Sequence, residues 1–205
     1  MNARGFTLVE IIVVVSVIAI LSSLLVVGMT EAGQRSRDSD RQANLRLVQN
    51  ALELYKNKYG RYPNGCNGVN VWSAETVSAT SPNRCSSGQE YIVGLAPEFI
   101  PTLPKDLRPN GVNSGYMYYV NTEGSAFKFV SYKTVESEVV NNNTHPFKAC
   151  DMTTCSSVRF NSNNPAPRCD DGDTYAVWGG YPFEPFALGH PRGDEQRDNV
   201  ICRIP

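Results

Sequence analysis

The chain has 205 residues, with 19 Lys and Arg against 20 Asp and Glu and a formal net charge of -1. That balance argues against a protein whose main partner is nucleic acid, where affinity rests on many Lys and Arg contacts to phosphates, although a small local basic patch stays open. The length fits one soluble domain, or one domain with an appendage.

The appendage comes first. Met1-Asn2-Ala3-Arg4-Gly5 is a short basic leader, and across residues 6–30 the only charge is Glu10. Residues 11–27 are almost continuous Ile, Val, Leu and Ala, interrupted by Ser16, Ser22 and Ser23. An apolar run of roughly 20 residues is long enough to span a bilayer as a helix. A secretory signal peptide would place a small-residue cleavage site behind its apolar core, and none follows here. A plain membrane anchor fits the hydropathy but leaves Glu10 unexplained. A carboxylate inside an apolar span costs several kcal/mol unless it is paired.

The pattern then changes without stopping. Gly28 and Gly33 are followed by a mixed-charge stretch over 34–41 with no proline, and from Ala43 onward Leu45, Val48, Leu52, Tyr55 and Tyr59 recur at intervals of three and four. That is the stripe of a helix packed by one face. Gly60 supplies a C-terminal stop and Pro63 prevents continuation. The expectation is one helix over 6–59, about 54 residues and roughly 80 Å at 1.5 Å per residue. Its second half can bury a face on the chain's own head; its first half must find other helices or lipid. Gly28 and Gly33 each weaken a helix by about 1 kcal/mol relative to Ala, so they are either points of local melting or tolerated close-packing positions.

Beyond the helix, residues 61–205 form the expected head. Residues 64–89 are a Gly-, Asn- and Ser-rich loop. Strands are expected at 116–120 and 126–132, joined by Asn121-Thr122-Glu123-Gly124 into a hairpin, and a further strand at 174–178. Their aromatic and β-branched residues suit a sheet with one face on the helix. All six cysteines (Cys66, Cys85, Cys150, Cys155, Cys169 and Cys202) lie after the apolar segment. This indicates an oxidising compartment and a disulfide framework, with a metal site at Cys150-x4-Cys155 as the competing reading. Six cysteines allow 15 pairings. The pairings expected are Cys66–Cys85, Cys150–Cys155 and Cys169–Cys202; the first closes a loop of about 20 residues and stabilises by about 3 kcal/mol in the chain-entropy model. Asp170-Asp171-Gly172-Asp173 reads as a solvated acidic turn, with calcium as the alternative. Asn142-Asn143-Thr144 fits a glycosylation acceptor. His145 and His190 stand alone. No nucleophile with a base and orienter, phosphate-binding loop or metal-hydrolase pattern occurs, so the chain is read as not an enzyme and as needing no cofactor.

Gly5-Phe6-Thr7-Leu8-Val9-Glu10, with the apolar helix behind it, resembles the prepilin processing motif of type IV pilins and type II secretion pseudopilins. Leu54-Tyr55-Lys56-Asn57-Lys58-Tyr59-Gly60-Arg61-Tyr62-Pro63 is similar to their helix exit, and Leu103-Pro104-Lys105-Asp106 to the turn before their sheet. Leu107-Arg108-Pro109-Asn110-Gly111 departs from the turn found in pseudopilins. The resemblance implies an α+β pilin fold: a leader over 1–5, a membrane and filament-core half-helix over 6–30, an amphipathic half over 31–60, and a head with a variable loop over 64–89, a hairpin over 116–132 and cysteine-rich loops over 141–205. It implies cleavage between Gly5 and Phe6 by a prepilin peptidase, with N-methylation of Phe6. A single-pass precursor with its head outside the cytoplasm would then become an extracellular homopolymer, built by an inner-membrane assembly platform and an ATPase-driven machine. Glu10 of one subunit would neutralise the Phe6 amine of its neighbour. Two unit charges about 4 Å apart attract by roughly 4 kcal/mol at an effective dielectric near 20, against several kcal/mol of desolvation per ion, so the pair sets register more than stability. The resemblance also admits calcium at Asp170, Asp171 and Asp173. It leaves open a pilus subunit, a secretion pseudopilin and a minor pilin acting as a tip adhesin.

Overall fold

The structure is a computed structural model, and it describes residues 6–75, 83–106, 114–141, 144–150, 155, 172–180, 200 and 202, leaving aside the side chains of 23–29. The chain divides into two compact units, Met1–Arg37 and Asp38–Pro205. One helix, α1, covers Leu8–Tyr59 and contributes to both.

In the first unit α1 begins at Leu8, two residues later than the apolar pattern suggests, because Thr7 takes the N-cap position. The helix passes Gly28 and Gly33 without a break. From Ile11 to Leu21 its large apolar side chains are 48% to 64% exposed. Among the described residues no helix is long and apolar enough to cross a membrane. The described surroundings of this run end at Ser22, short of its sequence end at Val27.

In the second unit the remaining part of α1 buries one stripe. Leu45, Val48 and Leu52 are fully enclosed and Ala51 nearly so. Gly60 ends the helix at φ +77°, a left-handed cap that only glycine adopts without strain, and its N–H donates to Lys56 O at 2.7 Å.

The sheet has four antiparallel strands in sequence order: β1 Ser73–Ala74, β2 Gly115–Val120, β3 Phe127–Tyr132 and β4 Tyr175–Gly179. The register pairs Tyr118 with Phe129 and Phe129 with Val177. Side chains alternate across the sheet. Tyr116, Tyr118, Phe127, Phe129, Tyr175 and Val177 join the helix stripe in one core. Met117, Tyr119, Val130, Tyr132 and Ala176 form a second core on the other face with Trp72, Ala74 and Val200. Every residue of β2 and β3 is therefore buried, where one buried face was expected. The hairpin and the last strand lie within a residue of their expected positions. The two-residue β1 carries no strand pattern of its own and exists because the 64–89 loop folds back onto β2.

Cys66 and Cys85 form the expected disulfide, with Cα atoms 5.7 Å apart. The other two pairings need correction. Cys155 is joined to Cys202, with Cα atoms 5.3 Å apart, so neither Cys150–Cys155 nor Cys169–Cys202 forms. Bridging requires Cα atoms roughly 4.4–6.8 Å apart, and the folded chain brings Cys155 to that distance from a residue 47 positions away. Cys150 is itself disulfide-bonded, with a partner outside the described residues.

Candidate functional site

Gly5 lies outside the described residues; Phe6 opens the described chain and is 84% exposed. Thr7 and Glu10 form a reciprocal cap. Thr7 N–H donates to Glu10 Oε2 at 2.8 Å, Thr7 Oγ1–H donates to the same oxygen at 2.7 Å, and Glu10 N–H donates back to Thr7 Oγ1 at 3.3 Å. This is a capping box, in which the first and fourth residues of a Thr-x-x-Glu sequence satisfy each other's otherwise orphaned groups. The signal was legible in the sequence and is hidden only by the hydropathy around it. Glu10 is thus not an unsatisfied carboxylate in the isolated chain. All its hydrogen bonds among the described residues fall on Oε2, leaving Oε1 open. Phe6, Val9, Glu10, Ile11, Val13 and Val14 border a common open groove beside the carboxylate.

A second polar constellation lies inside the head, and sequence reasoning missed it. Arg41, 3% exposed, donates to Asp106 through Nε at 2.8 Å and Nη2 at 3.2 Å, and through Nη1 to Asp38 at 2.8 Å and Glu136 at 2.9 Å. Asp38 also accepts the N–H groups of Glu136 and Ser137 and the Ser137 hydroxyl. Burial opposes the Arg41 charge, but the hydrogen bonds it donates to Asp106, Glu136 and Asp38 outweigh it and hold the guanidinium above its already high ordinary value. The planar fork suits this task because it presents five donors in fixed directions. Arg41 and Asp38 sit on α1, Asp106 ends the turn before β2, and Glu136 follows β3. One side chain therefore ties the helix to two loops of the head. The charge run in which Asp38 and Arg41 lie reads as a solvated surface in one dimension, and only folding buries it.

Among the remaining candidates, Asp170 and Asp171 lie outside the described residues. Asp173 uses its carbonyl to accept the N–H groups of Thr134 and Val135, and its carboxylate accepts from Thr174 Oγ1 at 3.2 Å. Among the described residues no three acidic, His or Cys side chains gather where a metal ion could sit. His145 stacks on Tyr175 at 5.5 Å and its Nδ1 accepts from the Phe147 N–H, so it serves packing. Asn142, Asn143 and His190 lie outside the described residues.

A family model described as the prokaryotic N-terminal methylation motif matches residues 1–26. The chain is 28% identical over 102 residues to type II secretion system core protein G of Aeromonas hydrophila, a match covering 50% of this chain and 65% of that protein. It is 36% identical over 55 residues to the type IV wide pilus major component PilA4 of Thermus thermophilus, covering 27% of this chain and 42% of that protein. The matches thus span less than two thirds of either relative. No solved structure matches the chain with significance. The motif and both relatives, with a capped N-terminal helix and a small antiparallel sheet, support the type IV pilin and pseudopilin family.

Proposed function

We propose that the chain is a structural subunit of a type IV pilus or a closely related filament, and not an enzyme. The observation that carries this reading is the capped helix start: an apolar surface exposed from Ile11 to Leu21, with one carboxylate at its head. An exposed apolar surface of this extent marks a membrane or protein contact. The subunit would wait in the inner membrane with its head outside the cytoplasm, and a prepilin peptidase would cut after Gly5 and methylate Phe6. The assembly platform and its ATPase would then extract it into an extracellular homopolymer. Glu10 Oε1 would receive the Phe6 amine of a neighbour while Oε2 stays on Thr7. Cells carrying Glu10→Ala should process the precursor normally and yield far fewer sheared filaments; a wild-type yield refutes the docking role. Gly5→Val should leave an uncleaved precursor.

A second reading, a type II secretion pseudopilin, is favoured by the relative that matches half of this chain. Deletion separates the two. Loss of surface filaments supports the pilus, whereas loss of protein export with no filament phenotype supports the pseudopilin. A minor pilin at the tip would show as low abundance in the sheared fraction. The calcium reading of Asp170, Asp171 and Asp173 is tested by adding a chelator and measuring the melting temperature.

A further inference from the structure

The head also holds a buried carboxylate that takes part in none of the ion pairs among the described residues. Glu75 is 4% exposed, and its side-chain hydrogen bonds among the described residues are all to backbone. The Asp106 N–H reaches both oxygens at 3.1 Å, and the Tyr116 N–H donates to Oε1 at 2.8 Å. Among the described residues Oε2 shares a single donor, which leaves it acceptor capacity there. The backbone is shaped for this carboxylate. Gly115 has φ +114°, and a Cβ there would lie 2.5 Å from Glu75 Oε1, so only glycine lets the side chain close on β2. Burying an ion costs several kcal/mol even after relaxation, and two backbone donors offset only part of that. Glu75 also lines a cavity of about 310 Å³, with Tyr91, Pro97 and Leu103 as apolar wall and Glu90 and Lys105 as its other charged groups.

We propose that this cavity binds a primary ammonium group on a short aliphatic chain, with Glu75 as its counter-ion. The three charged side chains of the lining carry a net charge of -1, which a monovalent cation neutralises. The apolar wall suits methylene groups. A calcium ion would need six to eight oxygens, and no acidic cluster of the required kind exists among the described residues. The same chemistry is offered by a free alkylamine and by a lysine side chain of another protein.

The site is pH-dependent. Burial pushes the Glu75 carboxyl up to about 7; the N–H groups of Tyr116 and Asp106 oppose this, the Asp106 charge adds to it, and Lys105 opposes it. Tyr91, Tyr116 and Glu90 are the other titratable groups around it among the described residues. An ammonium binds the ionised form, so affinity should fall about tenfold from pH 8 to pH 6.

The test is a titration of the full-length, detergent-solubilised chain with n-butylammonium chloride, followed through the backbone amide resonances of Asp106 and Tyr116. Saturable shifts at pH 8, about tenfold weaker binding at pH 6 and loss of binding in Glu75→Gln are expected. Glutamine keeps an acceptor for the two N–H groups and removes the charge. Absence of saturable shifts overturns the proposal, as does undiminished binding to Glu75→Gln or a response to calcium chloride alone. A lysine-containing tripeptide binding more tightly than butylammonium assigns the site to a protein partner; weaker binding assigns it to free amines. Should the variant fail to fold, the carboxyl resonance of wild-type Glu75 decides. Bound ammonium must lower its pKa, and an unchanged value refutes the idea.

Discussion

Replacing Arg41 with Ala should unfold the head far more readily than any surface change. Arg41 is the cation for Asp38 and Asp106, whose side chains are each 3% exposed, and for Glu136 at 23%. Asp38 keeps three other donors in the variant, from the Glu136 and Ser137 backbone and the Ser137 hydroxyl, whereas Asp106 loses both arms of the fork. Removing one partner of a buried pair typically costs 3–5 kcal/mol, because the other charge stays buried. Domains have only about 5–15 kcal/mol in total. At about 2–4 °C per kcal/mol for a domain of this size, the melting temperature should fall by roughly 6–20 °C. Arg41→Lys should be intermediate, since an ammonium keeps the charge and loses the planar fork. The double variant Arg41→Met/Asp106→Leu should be less destabilised than Arg41→Ala alone, because the Asp106 carboxylate, which loses both arms of the fork, is no longer left buried without its cation. Urea unfolding followed by the fluorescence of Trp72 and Trp178 measures all three. A loss below about 0.5 kcal/mol in Arg41→Ala, the range of ordinary surface substitutions, would refute the reasoning.

Stability should also vary with pH. Glu75 has a folded pKa raised to about 7 from 4.5, so its contribution is present below pH 4.5 and is lost as pH rises through 7. Lys128, fully buried, has a folded pKa pushed down to about 7 from 10.5 by burial, so its contribution is present above pH 10.5 and is lost as pH falls through 7. Denaturation midpoints should therefore pass through a minimum near pH 7, with Glu75→Gln flattening the acid side and Lys128→Met the alkaline side; parallel profiles in wild type and variants would contradict both. Thr7→Val should speed amide hydrogen exchange at Leu8, Val9 and Glu10 while Thr7→Ser should not, and equal protection in both would remove the cap. Peptide mapping without reductant should recover Cys155 linked to Cys202. Cys155→Ser should cost about 4 kcal/mol by loop-closure entropy for a separation of 47 residues.

The helix and its end were legible because their signals are local, while the start expected at Phe6 falls two residues before the observed one. Leu45, Val48 and Leu52 mark one face by spacing, Gly60 stops the helix, and Thr7-x-x-Glu10 announces the cap within four residues. The hairpin was equally plain in its alternating aromatics. Strand β1 was not legible, since Ser73 and Ala74 become a strand only through β2. Nor could spacing choose among the cysteines, because proximity along the chain is no guide to which Cα atoms folding brings within bridging distance.

The sequence by itself determined the proposed assembly end of this protein: an apolar run with a single carboxylate at its head, a pattern fixed by covalent order and needing no fold to be read. The tertiary structure decided the interior of the head. Asp38, Arg41, Asp106 and Glu136 span nearly a hundred positions and look like ordinary surface charges, and nothing in the 64–89 loop marks Glu75. Their roles arise only when burial strips away water, because a charge that costs nothing in solvent must then find a partner or shift its pKa. Low dielectric and distance set that choice, and both are properties of the folded chain.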